Sequence, residues 1–423
     1  MYIKPIAPAA TLLVSCLTMF LVGTELFILS PLLPMFAAEY GVSPTLAGWC
    51  VTAFSLAYMA TAPLLGYVAD RAGRRQVLIC SLLGLSAANL LTATAPNLAW
   101  LIIARTFAGA ATAGVSPSIY ALVAAAAPSD RRAAWLAFSV FGLLVSLPLG
   151  ATVGAELGMT LGWAWVFVAL AVSSLIFARL NCRIWPYQCL GADAPKVPSN
   201  LLPRAVVLRR LMPTVMWSTS LYGVYTYLGA GLTSVAFSPG QVARAILYYG
   251  CGAMAGALIG GRLADRLGTR FMTGVSLAGL CGGFLLLRLA LSGGVCVELA
   301  LALSSAVAQL FFPAQQAGLA RDFPQQSGTV LAWNNSALFL GIALGSLIGG
   351  KAAAVGGLDA ALSICAIIAL AGCVINGIVV QINGKAELQW RNLSLFLYLA
   401  RPRHFIVHWL KIIAAGGGQV WPR

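Results

Sequence analysis

The apolar positions run in long unbroken stretches separated by short polar ones. They do not alternate and do not fall on one face of a short helix. The stretches cover residues 9–36, 45–69, 76–95, 98–125, 134–156 and 163–180, then 212–235, 242–263, 271–291, 296–319, 327–350 and 358–381. Each approaches or exceeds the ~20 apolar residues that a helix needs to cross the hydrocarbon layer. Continuous runs, as opposed to a dyad repeat, exclude an outer-membrane barrel. The pattern predicts an all-α membrane protein of twelve transmembrane helices. The first run carries Glu25, is too long for a signal-peptide core and shows no A-x-A site, so it is read as a span. Residues 181–211 form the one long internal break, with linker composition at Gly191–Asn200. The predicted organisation is therefore a six-helix bundle over 1–180, a cytoplasmic linker over 181–211, a second six-helix bundle over 212–381 and a tail over 382–423.

Composition agrees with this pattern. The chain of 423 residues is 60% hydrophobic and only 9% charged, whereas soluble domains are about a quarter charged. The net charge of +15 would suggest nucleic acid in a soluble protein. Here the basic residues cluster between the apolar runs, so no nucleic-acid partner is expected and the membrane lipid is the surface they meet. With the N-terminus inside, every Lys and Arg falls on the cytoplasmic side except Arg105, Arg244, Arg288 and Lys351. The positive-inside rule then gives N-in, C-in. Both histidines, His404 and His408, lie in the tail, and the ten cysteines form no C-x-x-C pair. Cys182 and Cys189 fall in the predicted cytoplasmic loop, where thiols stay reduced. No metal site, disulfide framework, catalytic constellation or cofactor is expected, and no nucleotide motif either, since Gly250–Gly256 is not a G-x-G-x-x-G after a strand.

A repeat organises the chain. Gly66, Asp70, Arg71, Gly73 and Arg75, with Arg74 between the last two, follow the second run. Gly261, Asp265, Arg266, Gly268 and Arg270 follow the eighth. Both read G-x-x-x-D-R-x-G-x-R, 195 residues apart. A shared motif in matching loops of two six-run halves indicates a duplicated bundle related by pseudo-symmetry.

With that loop motif the sequence resembles the major facilitator superfamily, over about residues 8–381. Leu101–Gly109 is similar to the family's fourth-span arginine motif around Arg105, with Ala108 where glutamine is common. Ser146, Pro148, Gly150 and Gly154, followed by Gly162 and Trp163, resemble its fifth-span antiporter motif, with Ser146 where glycine is usual. Gly23–Leu26 and Trp333–Ser336, with the glycines of the eleventh run, resemble the arabinose-efflux-like branch of twelve-span drug:proton antiporters. The resemblance implies a monomeric carrier in a bacterial inner membrane. It would exchange protons for small organic molecules, drugs or sugars, by alternating access, driven by the proton gradient alone.

Glu25 and Arg105 are the sharpest candidates. Glu25 is the one acid of eleven placed at membrane depth, where an ionised group is costly and by default functional. At 1.5 Å per residue, both residues fall in the outward half of their spans. Burial raises a carboxyl pKa and a nearby guanidinium lowers it, so a changing separation would load and release a proton. The alternative is a static pair joining the first and fourth spans.

Asp70 and Asp265 are expected to serve the cytoplasmic gate that the resemblance implies, with Asp130 as the partner of Arg74 and Asp322 as the matching acid after the tenth span. The plainer reading is that all are solvated charges that only fix topology. Tyr58, Tyr120, Trp217, Tyr222, Tyr225, Gln309, Gln315, Asn334 and Asn335 are candidates for the substrate cavity, against an equal case for helix packing or lipid-interface positions. Glycines at one-turn spacing in the fifth and eleventh runs predict close helix packing, with a smooth face on which the halves could rock. The tail reads as a basic amphipathic segment on the inner leaflet or as a tail without a role. A symporter working in the uptake direction is the rival function. A receptor or enzyme is remote, because no nucleophile–base set lies within the runs.

Overall fold

The computed structural model describes residues 8–128, 131–186, 204–291 and 296–382. Asp130, Cys189, the middle of the expected linker and nearly all of the expected tail lie outside the described residues. All described elements are helical. Ten stretches are long and apolar enough to cross a membrane. One of them, Thr329–Gly377, crosses twice, because the helix Ser327–Ile382 breaks at Gly356 and Gly357. The remaining span is the seventh, Arg204–Ser234. It is the least apolar because Thr214, Ser218, Thr219, Ser220 and Thr226 are buried along it.

Several spans carry breaks with local causes. The first is Pro8–Phe27 followed by Leu29–Glu39. Pro31 and Pro34 lack an N–H, which leaves the carbonyls of Phe27 and Ser30 without their helical donors. The second is Pro44–Ala47 and Trp49–Ala72, started by Ser43, whose hydroxyl accepts from the Leu46 N–H. The third is Arg74–Ala93 and the fourth Leu98–Thr112 with Val115–Ala126. The fifth, Arg132–Val145 and Ala151–Leu161, carries a π-helical turn at Ser146–Gly150, where Pro148 also removes a donor. The sixth, Trp163–Ile184, runs past the expected boundary and takes in Cys182. In the second half follow Pro239–Leu267, Thr269–Leu291 and Val297–Gln309 with Phe311–Asp322. The two motif turns are alike: Gly73 has φ 96° and Gly268 φ 95°, a region that only glycine enters at little cost.

Glycine ladders weld each half. A Cβ on Gly142 would meet the Cys16 carbonyl oxygen at 1.9 Å, one on Gly150 the Thr24 hydroxyl at 2.2 Å, and one on Gly154 Ile28 at 2.1 Å. The fifth span therefore lies directly on the first. In the second half Gly341, Gly345 and Gly349 bring the eleventh span onto Ser218, Thr219 and Gly223 of the seventh. The expected smooth face between the halves is thus mostly a face within each half. Contacts of this kind across the halves come from other glycines, among them Gly250, whose Cβ would meet Pro148 at 2.4 Å, and Gly229, whose Cβ would meet the Ser30 carbonyl oxygen at 2.7 Å.

The same ladder accounts for the departure at Ser146. A Cβ on Gly23 would meet the Ser146 hydroxyl at 1.9 Å, and one on Gly341 would meet the Ser218 hydroxyl at 1.8 Å. Shifted by the 195-residue spacing, Gly23 corresponds to Ser218 and Ser146 to Gly341. Each half packs one glycine against one serine at this crossing, with the two identities exchanged.

Candidate functional site

In the first half the buried charge gathers at one place. Arg105 Nη1 donates to Glu25 Oε1, and both residues are 0% exposed. Asn89 Nδ2 donates to the other carboxylate oxygen, Oε2, at 2.8 Å. The carboxylate is thus held by the third and fourth spans at once. The Arg105 guanidinium also lies over the Phe54 ring at 4.8 Å and the Phe167 ring at 5.5 Å. These faces offer a cation the negative side of the aromatic quadrupole. Nε and Nη2 of Arg105 and Oδ1 of Asn89 are buried without hydrogen-bond partners among the described residues. Removing one member of a buried pair leaves an uncompensated charge, at a cost of about 3–5 kcal/mol. The arrangement holds a proton-accepting oxygen and its counter-ion inside the bundle, with rings where water would otherwise solvate the cation.

The two loop motifs differ. Asp70 pairs with Arg74 across the Gly73 turn, and its side chain is 61% exposed. Arg74 is thus engaged by Asp70 among the described residues; its expected partner Asp130 lies outside them. Arg71 lies over the Tyr67 ring at 4.2 Å, and Arg75 donates to the Cys182 carbonyl at 2.7 Å. Gly66 has open space where its Cβ would be. In the second copy Asp265 is exposed and has no ion-pair partner among the described residues. The paired acid there is Asp322, which accepts from Arg210 at 2.5 Å and Arg270 at 3.1 Å.

At their outer ends the halves are joined. Tyr225 donates its hydroxyl to the Phe27 carbonyl at 3.0 Å, and Ser30 donates to the Tyr225 carbonyl. Phe27 O is the acceptor that Pro31 leaves free in the first span. Ser30 and Tyr225 are 195 residues apart, so they are the same repeat position meeting near the pseudo-symmetry axis. Thr45 donates to the Gly350 carbonyl at 3.0 Å, and Ser346 to the Gly48 carbonyl at 2.9 Å. The Tyr227 hydroxyl sits between Gly48 and Gly350, where a Cβ on either would meet it at 2.0 or 2.4 Å. Deeper in, Tyr58 stacks on Phe339 with ring centroids 3.5 Å apart, and Phe339 also lies 6.5 Å from Phe54. Phe54 therefore links the Arg105 guanidinium to the opposite half.

Against known families, the sequence profile of the Major Facilitator Superfamily matches residues 15–217 and again 211–419. The chain belongs to the Major Facilitator Superfamily. This transporter is similar to the uncharacterised MFS-type transporter YceJ of Bacillus subtilis, with 29% identity over 340 residues, 78% of this chain and 86% of that protein. It is also similar to a chloramphenicol resistance protein of Streptomyces lividans, with 28% identity over 250 residues, 58% of this chain and 64% of that protein. Among solved structures it resembles a bacterial homologue of the human lysosomal transporter Spinster in an inward-facing, occupied conformation. That match has a TM-score of 0.73 at 15% identity and covers 88% of this chain and 97% of that one. The Major Facilitator chain is accordingly an integral membrane transporter that moves small molecules, not an enzyme, with twelve helices in two bundles.

The transporter's cavity candidates separate into two groups. Trp217 is buried, donates to the Ala308 carbonyl at 2.8 Å and stacks on Phe311 at 4.9 Å, so it ties the seventh span to the tenth. Tyr225 belongs to the outer seam, and Tyr222 packs edge-on against it. Asn334 accepts from Thr214 at 2.7 Å, and Gln315 donates to Thr214 and to the Arg210 carbonyl, so both are used between helices. The polar groups of Tyr58, Tyr120, Tyr222, Gln309 and Asn335 have no hydrogen-bond partner among the described residues, and of these Tyr58 and Tyr222 are buried. Sequence reasoning missed Asn89, because it took only ionisable groups for the buried charge and drew its polar cavity candidates from other spans than the third. An asparagine inside an apolar run was the available signal. Phe54 and Phe339 carried no signal, since a phenylalanine in a span reads first as lipid-facing or core.

Proposed function

We propose that this chain is a proton-coupled exporter of small organic molecules that works by alternating access in a bacterial inner membrane, as a monomer and without a cofactor. The observation that carries the reading is the wholly buried unit of Glu25, Arg105 and Asn89. When Glu25 takes a proton, Arg105 loses its counter-ion at membrane depth. A lone guanidinium there is costly, so the bundle must rearrange or the proton must leave. Phe54 and Phe339 give that rearrangement a path to the other half. The outer seam is closed, while Gly66 has open space and Asp70 is exposed at the inner end. This arrangement suits a carrier open to the cytoplasm. Asp70 and Arg74, with Asp130, would then form the inner gate in the opposite state, and Asp265 would do so in the second half. Export is favoured over uptake by the fifth-span motif, whose glycine–serine seat is kept intact by exchange, and by the chloramphenicol resistance relative. Neutral or singly charged substrates suit the polar groups of Tyr58, Tyr120, Gln309 and Asn335, which offer hydrogen bonds and rings but no charge.

The test is flux in proteoliposomes with an imposed pH gradient and a panel beginning with chloramphenicol and sugars. Wild type is expected to accumulate a panel member against its gradient, and Glu25→Gln to bind it but not accumulate it. Accumulation by Glu25→Gln at the wild-type level would overturn the proton-carrier role.

A further inference from the structure

The cytoplasmic end of the second half holds more guanidinium than carboxylate. Arg210 from the seventh span, Arg270 from the ninth, and Arg321 and Asp322 from the tenth converge there. Arg210 and Arg270 both donate an Nη2 to the same oxygen, Oδ2 of Asp322. Arg321 Nη2 turns instead to the Thr269 hydroxyl at 3.2 Å. Two guanidinium groups thus meet one carboxylate, with a third turned away beside them. Arg210 is only 3% exposed, and its Nε and that of Arg270 are buried without a partner among the described residues. The positive-inside rule asks for arginines near the membrane surface. It gives no reason to bury one with a shared counter-ion. The 195-residue spacing puts Ser15, Ala126 and Ala127 at the positions of Arg210, Arg321 and Asp322 and Arg75 at that of Arg270, while Asp130, the acid after the fourth span, lies outside the described residues.

We infer that this cluster binds a phosphate-type oxyanion, supplied by the headgroup of an anionic inner-leaflet lipid or by free phosphate. A phosphate offers several acceptor oxygens to planar guanidinium forks, in the bidentate geometry that arginine favours. Basic pockets between helices at the cytoplasmic face are suited to lipid headgroups. Access is open, because Arg270 and Asp322 are about one-fifth exposed and Arg321 is exposed. Arg321 and Arg270 would take the outer oxygens. Arg210 would supply charge from behind, and the Thr269 hydroxyl, now engaged by Arg321, becomes a further donor once that arginine turns to the ligand.

The experiment titrates the delipidated full-length protein in neutral detergent with short-chain phosphatidylglycerol, and separately with inorganic phosphate, under native mass spectrometry. One saturable phosphatidylglycerol adduct is expected. Its affinity should fall about tenfold or more in Arg321→Gln, the loss of one charge-assisted contact, and less in Arg321→Lys. Arg321 is exposed, so these variants should fold, and an unchanged melting temperature checks this. Displacement of the adduct by phosphate identifies a free oxyanion as a sufficient ligand. An adduct that phosphate does not displace identifies the lipid headgroup. Absence of any saturable adduct, equal binding of diacylglycerol, or the same loss on mutating the external Arg244→Gln overturns the site.

Discussion

Exchanging two residues tests whether the first and fifth spans meet as described. Gly23→Ser places a Cβ that would lie 1.9 Å from the Ser146 hydroxyl and 3.0 Å from the Leu143 carbonyl oxygen. Neither helix has room to retreat, because Gly142 and Gly150 hold the same two helices at contact on either side of the crossing. Overpacking of this kind costs about 1–3 kcal/mol. Ser146→Gly alone removes the hydroxyl that bonds to the Leu143 carbonyl at 2.7 Å, a net loss of about 0.5–1.5 kcal/mol. The double variant Gly23→Ser, Ser146→Gly re-creates the arrangement that Ser218 and Gly341 already form. Its stability should return to within about 0.5 kcal/mol of wild type, so the two changes would couple by about 1 kcal/mol or more, as residues in direct contact do. Thermal unfolding in detergent, followed for wild type, both single variants and the double, gives the cycle. Strictly additive effects would refute the claim that these two positions share one packing seat. They would also remove the argument that the fifth-span motif is preserved despite Ser146.

Three further outcomes follow from the charged unit, the seam and the inner motif. Arg105→Ala leaves the Glu25 carboxylate buried without its counter-ion. Exchange should keep its dependence on Glu25 but fall below wild type with a changed pH profile, and an unmoved profile with full activity would reduce Arg105 to packing. Tyr225→Phe leaves the Phe27 carbonyl with neither a helical donor nor a hydroxyl. That costs the closed-outside state about 1–3 kcal/mol. Spin labels at Leu46→Cys and Val235→Cys in a cysteine-depleted background should report a larger separated population, and an unchanged distance distribution counts against the seam. Asp70→Asn should raise cytoplasmic accessibility of cavity cysteines by removing the anchor of the inner gate, whereas equal labelling would leave Asp70 as a topology signal.

The helical class, the division into two six-span halves and the meeting of Glu25 with Arg105 were all legible in the sequence. Each rests on a one-dimensional signal: run length, a repeated motif, and a charge too costly to sit at depth alone. What the sequence left open needed the third dimension. The glycine periodicity of the fifth and eleventh spans announced close packing but not the partner, and the partner is the first or seventh span, not the opposite bundle. Tyr225 and Trp217 looked like cavity residues because a tyrosine or tryptophan carries both a ring and a donor. Their donors are spent on the backbone carbonyls of Phe27 and Ala308. The Phe27 carbonyl is free because Pro31 lies one turn on, and such a pairing is invisible without the helix register.

The duplication also shows where the two halves part. Shifting Glu25, Asn89 and Arg105 by the repeat spacing gives Ser220, Phe284 and Ala300, none of which can hold a proton or a charge. In the second half a small apolar void occupies this region, lined by Tyr225, Tyr249, Phe284, Leu301 and Ser304 among others. Phe54, which carries the Arg105 guanidinium on its ring, corresponds to Tyr249, which lies 5.0 Å from Tyr225. At the cytoplasmic end the asymmetry reverses, for the buried Arg210 of the second half has Ser15 at its position in the first. If charge in the first half responds to protons, the second half has no equivalent site with which to oppose or duplicate the response. One carboxyl then sets the stoichiometry at one proton per cycle for this unit. A measured stoichiometry above one would require a second acid, and Glu25 is the only acid placed at membrane depth in the sequence.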